Sequence, residues 1–189
     1  HGIPEDRFLV VYSGNLGVKQ GLDQVLDAAT RFRKAPEVTF LICGEGAQKD
    51  SLQKRVSDEG LPNVRFLPLQ PETDFHRLLA DADLSLVTQQ AGSGASFFPS
   101  KLLNLFARFS PVLATADEDS VALTPLPANA CGSVVAPAAT GGSVEAVEAA
   151  RQHPTKLKEL AENGRRYVER FSKESVLERF EGELRELGS

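Results

Sequence analysis

Methionine and tryptophan are absent from this 189-residue chain, and cysteine occurs only twice. Cys43, at the end of an apparent strand, and Cys131, before Gly132, make no disulfide framework. They read as small buried apolar residues, as a reducing cytoplasm allows. No apolar run approaches the roughly 20 residues a membrane-spanning helix needs, and no charged-then-apolar leader opens the chain. An excess of positive charge is missing too. The formal net charge of -5 argues against a dedicated nucleic-acid binder, because neutralising a phosphate backbone takes a basic face, so any anion site must be local. Histidine is sparse: His1 stands at the terminus, His76 beside Arg77 and His153 before Pro154, a spacing that suits no metal site and no nucleophilic triad. Methionine is missing even at position 1, and His1-Gly2-Ile3-Pro4-Glu5 reads as the tail of an interdomain linker. The expectation is a domain of a longer protein, with residues 1–7 as the linker remnant.

What is present is ordinary for a globular domain with a full core: 41% hydrophobic and 25% charged residues. Short β-branched runs alternate with amphipathic segments, the pattern of a parallel sheet covered on both faces. Strands are predicted at Phe8–Ser13, Val38–Cys43, Val64–Leu67, Leu84–Thr88, Pro111–Thr115 and Ser133–Ala136. Helices are predicted at Leu22–Phe32, Ala47–Glu59, Glu72–Ala82 and Pro99–Phe109, with apolar residues at helical spacing such as Leu22, Val25, Leu26 and Ala29. The fold class is therefore α/β, a Rossmann-like doubly wound parallel sheet of about six strands. Right-handed crossovers place every loop after a strand on one edge, where open α/β sheets bind ligands. From Val144 on the pattern is helical only: Val144–Arg151, Thr155–Glu169 and Ser172–Leu187, after a flexible connection at Ala138–Gly142. Ser172 is a good N-cap, and Leu177, Phe180 and Leu184 form an apolar stripe that needs a partner surface. Residues 8–171 form the domain proper, and residues 172–189 form a helix expected to cross to a missing N-terminal domain.

Two stretches carry candidate chemistry. The glycine-punctuated loop Ala91-Gly92-Ser93-Gly94-Ala95-Ser96 leads into Phe97-Phe98-Pro99-Ser100-Lys101-Leu102-Leu103-Asn104. Free backbone N–H groups, the positive end of a helix dipole and Lys101 would face one point there, a seat for phosphate. The first strand runs into Tyr12-Ser13-Gly14-Asn15-Leu16-Gly17-Val18-Lys19-Gln20-Gly21, where glycines permit close backbone approach and Lys19 adds charge. This spacing matches neither the dinucleotide fingerprint nor the P-loop. Each residue has a plainer alternative: Lys101 as a solvated cation, Ser100 as an ordinary first-turn residue, Asn104 as a surface amide, and Gly44-Glu45-Gly46 as simple turn chemistry. Glu118/Asp119 and Asp81/Asp83 read as a loop and a strand lead-in rather than as acid/base dyads.

Taken in order, Ser13-Gly14-Asn15-Leu16, Phe40-Leu41-Ile42-Cys43-Gly44-Glu45-Gly46, Asn63-Val64-Arg65-Phe66-Leu67-Pro68, Leu78-Leu79-Ala80-Asp81-Ala82-Asp83, Pro99-Ser100-Lys101-Leu102 and Cys131-Gly132 resemble the C-terminal half of family-4 glycosyltransferases of the GT-B architecture. The resemblance covers nearly the whole chain and is strongest to the exopolysaccharide and colanic-acid branch. It implies the nucleotide-sugar-binding half of a retaining, metal-independent enzyme with a UDP- or GDP-type donor and no further cofactor. It also implies a cytoplasmic location, at the inner face of the membrane for the full-length protein, and an acceptor site in the missing N-terminal domain. No catalytic residue is then expected in this half, and the isolated domain should transfer nothing.

By resemblance Gly14, Asn15, Lys19, Ser96, Ser100 and Lys101 meet the donor diphosphate and sugar. Asn104 bonds the ribose, Leu69 and Gln70 wall the base, and Gly44, Glu45 and Gly46 add loop contacts. The departures are chemical: the family's two glutamates fall at Ser96 and Asn104, its arginine at Asn15 and its lysine at Gln20, with Lys19 one residue earlier. Both lysines are expected to be exposed cations whose loss leaves stability unchanged. A sugar-nucleotide 2-epimerase domain and a non-catalytic nucleotide-binding or assembly module are the alternatives.

Overall fold

Unbroken apolar runs are what a parallel sheet covered on both faces demands. β1 (Phe8–Ser13) is buried from Leu9 to Tyr12, and β2 (Val38–Cys43), β4 (Leu84–Thr88) and β5 (Val112–Thr115) are buried throughout. With the partly exposed β3 (Val64–Leu67) and β6 (Ser133–Val135) they form one six-stranded sheet in the order β3-β2-β1-β4-β5-β6. Every pairing is parallel. The computed structural model describes residues 3–4, 6–92, 100–117, 120, 123–137 and 140–187.

The helices form an outer layer on each face. α1 (Asp23–Arg31), α2 (Lys49–Glu59) and α6 (Thr140–Gln152) bring Val25, Leu26, Leu52 and Val147 onto Val10, Tyr12, Phe40 and Ile42. On the opposite face α3 (Glu72–Asp81) sets Leu78 on Leu9 and Val11. α4 (Ser100–Ala107) joins it there, packing Leu102, Leu105 and Phe106 with Val87, Val112 and Ala114. α5 (Pro125–Ala128) adds Leu126, and α7 (Pro154–Glu169) crosses α4 where a Cβ on Gly164 would stand 2.6 Å from the Phe106 ring. α8 (Lys173–Leu187) ends the chain; Ser172 caps it, accepting from the Ser175 N–H at 3.1 Å, as its sequence predicts. Val176, Leu177, Phe180 and Leu184 of α8 are exposed. Among the described residues no helix is long and apolar enough to cross a membrane.

The first four strands run as predicted, and the differences elsewhere have local causes. β5 opens at Val112 because Pro111 has no N–H to give, although its carbonyl accepts from Ser85 N at 2.8 Å. α4 ends at Ala107, short of the predicted Phe109, because Phe109 takes a left-handed conformation with φ 55°. α6 starts at Thr140 rather than Val144, so Thr140, Gly141 and Gly142 belong to a helix and not to a flexible connection. First-turn N–H groups have no intrahelical acceptor, so glycine and threonine are tolerated there. A 3-10 turn at Val18–Gln20 and the proline-led α5 have no counterpart in the predicted elements. Asp83 leads into β4, as read, and its carboxylate accepts the Leu9 N–H of β1 at 2.7 Å. Glu118 and Asp119 lie outside the described residues.

Candidate functional site

The strand order reverses between β1 and β4, and in open α/β sheets the crevice beyond such a switch point receives ligands. Register sets the rim: Ser13 pairs with Cys43, Cys43 with Leu67 and Thr88 with Thr115, so the loops that follow start at one level. They are then knitted together by backbone. Gly14 N–H donates to Cys43 O at 2.9 Å, Leu16 N–H to Glu45 O at 2.8 Å and Gln48 N–H to Leu16 O at 2.8 Å. On the other side Gln90 N–H donates to Lys19 O at 2.9 Å, and Gln24 Nε2 to Gln89 O at 2.9 Å. Asp117 accepts the Gly92 N–H at 2.9 Å.

At the centre stands Lys101, one residue inside α4. Its ammonium lies 4.7 Å from the centroid of the Tyr12 ring, in a cation–π contact, and a Cβ on Gly14 would come within 3.7 Å of Nζ. The side chain is half-buried, which corrects the expectation of an exposed cation. Burial lowers its pKa to about 8. Among the described residues no carboxylate lies within ion-pair distance of it. A partly desolvated cation with no carboxylate beside it among the described residues would gain from a neighbouring anion. One turn on, exposed Asn104 shares with Lys101 and Ser13 the rim of a cavity of about 30 Å³.

The other predicted residues are placed unequally. Gly14 and exposed Asn15 lie at the carboxyl end of β1, the Asn15 carbonyl accepting from the Tyr12 hydroxyl at 2.8 Å. Lys19 is exposed, as expected, on the 3-10 turn. Ser100 opens α4, whereas Ser96 lies outside the described residues. Leu69, 60% exposed, and Gln70, whose Nε2 donates to Pro68 O at 2.7 Å, form the loop after β3. Gly44 and Gly46 clear neighbouring backbone: a Cβ at Gly44 would overlap the Gly14 carbonyl oxygen, and one at Gly46 would stand 2.5 Å from Leu16 O. Glu45 turns to Lys49 in an ion pair of 2.7 Å, the plainer of its two readings.

Sequence reasoning passed over three contributors. Cys43, buried and unpaired with Cys131 as expected, also donates its thiol to Pro68 O at 3.1 Å, bracing the loop after β3. Asp117 holds the loop at Gly92, and Tyr12 carries Lys101 on its ring. A hydroxylated aromatic inside an otherwise apolar strand was the one available signal. Among the described residues no group of three or more His, Cys, Asp or Glu side chains could hold a metal ion.

The family model described as glycosyl transferases group 1 matches residues 1–167. The putative colanic acid biosynthesis glycosyl transferase WcaI of Escherichia coli (strain K12) is 36% identical over 186 residues, 97% of this chain and 44% of that protein. The chain thus spans less than half the length of this curated relative. Among solved structures, Anabaena Alr3699/HepE in complex with UDP superposes with a TM-score of 0.77 at 20% identity, covering 96% of this chain and 49% of that one. WaaG, a glycosyltransferase involved in lipopolysaccharide biosynthesis, gives 0.72 at 22% identity over 89% of this chain and 44% of that one.

Proposed function

The chain belongs to the group 1 glycosyl transferases, with the Rossmann-like layer of the GT-B architecture, and from that premise we propose that it is the nucleotide-sugar-binding half of a retaining enzyme. One observation carries the reading: the half-buried ammonium of Lys101 at the switch point, with no carboxylate at ion-pair distance among the described residues. Lys101, the first-turn N–H groups of α4, Ser96, Ser100, Gly14, Asn15 and Lys19 meet the donor diphosphate and sugar. Asn104 bonds the ribose as either donor or acceptor, and Leu69 and Gln70 form the base wall. Gly44 and Gly46 contribute by holding the loop after β1 in place, with Glu45 beside them. Catalysis here is electrostatic: cation, dipole and N–H groups stabilise charge growing on the leaving diphosphate, without a metal. A UDP- or GDP-type donor fits, and a structural neighbour's complex with UDP-glucose supports the class. The acceptor site belongs to the N-terminal half of the full-length protein, so this half alone binds donor and transfers nothing.

Titrating UDP, GDP, ADP, CMP and dTDP into the protein while following amide chemical shifts tests the site. Binding in the micromolar to millimolar range, about 4–8 kcal/mol, with the largest shifts at residues 14–19 and 96–104, is expected. Shifts confined to other surfaces for every nucleotide would remove the assignment.

We propose further that α8 packs on the N-terminal half. Its exposed Leu177, Phe180 and Leu184 are too apolar for a helix that ends in water, and more than half of WcaI's length has no counterpart in this chain. Amide exchange in α8 should be slow in the full-length protein and fast in residues 1–189 alone. Equal protection in both would assign the helix to this domain's own core.

A further inference from the structure

A tyrosine buried in a parallel sheet must find a partner for its hydroxyl. Tyr12, 1% exposed, has one, the Asn15 carbonyl at 2.8 Å, while its ring face carries the Lys101 ammonium at 4.7 Å. One side chain therefore touches both segments that end at the switch point, the loop after β1 and the first turn of α4. The other described residues that line the small cavity beside Lys101 are uncharged: Val11 and Ser13 from β1, Phe75 and Leu79 from α3, Ser85 and Leu86 from β4, and Asn104 and Leu105 of α4 itself. Tyr12, whose ring carries the ammonium, is itself titratable, and burial drives its phenol far above the usual range, so it stays neutral.

A free lysine side chain would lose several rotatable bonds on meeting an anion, and a cation already held on a ring has lost them beforehand. We propose that Tyr12 is a positioning residue, its ring fixing the Lys101 ammonium and its hydroxyl fixing the turn at Asn15, so that cation and loop stand ready for one anionic group. Tyr12 itself does not touch the donor. The consequence for binding rests on the donor-site reading above, whereas the pairing of Tyr12 with Lys101 does not.

The test is a double-mutant cycle in the full-length protein with UDP and GDP as probes. Tyr12→Leu and Lys101→Met should each weaken binding by about tenfold or more, and in the Lys101→Met background Tyr12→Leu should cost only the roughly threefold that belongs to the hydroxyl bond to Asn15. Tyr12→Phe keeps the ring, loses only the bond to Asn15 and should cost about threefold. A second readout needs no nucleotide: in protein carrying 13Cε-labelled lysine, Lys101 should titrate near 8 in wild type and Tyr12→Phe. In Tyr12→Leu the ammonium is free to swing into water, and its midpoint should move toward the ordinary 10.5.

An undiminished penalty of Tyr12→Leu in the Lys101→Met background, or an unmoved midpoint in Tyr12→Leu, overturns the assignment. Were Tyr12→Leu to unfold, Tyr12→Phe still decides, since a displaced midpoint there would mean that the ring does not hold the cation. If wild type binds neither UDP nor GDP, the donor reading falls and the lysine titration alone settles the role of Tyr12.

Discussion

Exchanging Lys101 for methionine is expected to remove most of the nucleotide affinity while leaving the fold as stable as before or more so. The two effects have one origin. Burial has moved the lysine from its ordinary pKa of 10.5 to about 8, a displacement that corresponds to about 3 kcal/mol of unfavourable burial of charge. Partial exposure screens this to about 1–2 kcal/mol. Below pH 8 folded and unfolded chains both hold the proton, so the full penalty is present. Between 8 and 10.5 the unfolded chain binds more protons than the folded one, so stability rises with pH and levels off above 10.5. Methionine fills similar volume, carries no charge and should abolish that rise. Binding has the opposite dependence, because a diphosphate beside Nζ favours the charged form. Above pH 8 affinity should fall by up to about tenfold per pH unit, with proton uptake measurable by calorimetry in buffers of different ionisation enthalpy. A Lys101→Met protein that melts well below wild type, or that keeps the same pH dependence of UDP or GDP binding, would show that the lysine serves the fold and not the ligand.

The sheet was legible because its signal is local. Phe8–Ser13, Val38–Cys43 and Leu84–Thr88 each announce a buried parallel strand by mostly apolar character, Val64–Leu67 is a shorter apolar run that Arg65 interrupts, and their alternation with helices fixes the layer. Lys101 and Asn104 could be picked out because proline, a hydroxyl and a cation open a helix after a glycine-rich loop. The chemistry of that lysine could not, since its burial is set by tertiary packing, against Tyr12 among others, which is 89 positions away in the chain by numbering and 4.7 Å away in space. Glycines were ambiguous for a related reason. A residue without Cβ clears space equally for a phosphate or for another stretch of backbone, and sequence does not say which. At Gly21, with φ 57° and a Cβ position 2.9 Å from the Gln90 Cα, and at Gly44 and Gly46, the neighbour is backbone.

That distinction gives Gly44→Ala a large expected effect on stability. The added methyl would occupy the place of the Gly14 carbonyl oxygen, and neither chain can step aside. Gly14 N–H is bonded to Cys43 O at 2.9 Å, and Gly44 N–H to Leu67 O at 3.0 Å, so retreat in either direction breaks a bond between loops. Overpacking costs about 1–3 kcal/mol and a lost buried hydrogen bond about 1 more, for a loss of about 3 kcal/mol, and the displaced Gly14 and Asn15 should take nucleotide binding with them. Two other glycines serve as controls. Gly92, with φ 72° and nothing within 4 Å of its Cβ position, should lose only about 1 kcal/mol on conversion to alanine, the cost of a left-handed residue. Gly182 on α8 also has open space around it but no such backbone constraint, so alanine there should add about 0.5–1 kcal/mol through helix propensity. Urea midpoints should therefore rank Gly182→Ala above wild type, Gly92→Ala below it and Gly44→Ala far below. A Gly44→Ala protein within about 1 kcal/mol of wild type would mean that the loops after β1 and β2 are free to part, and that the anion site at the switch point is assembled by the ligand rather than built before it arrives.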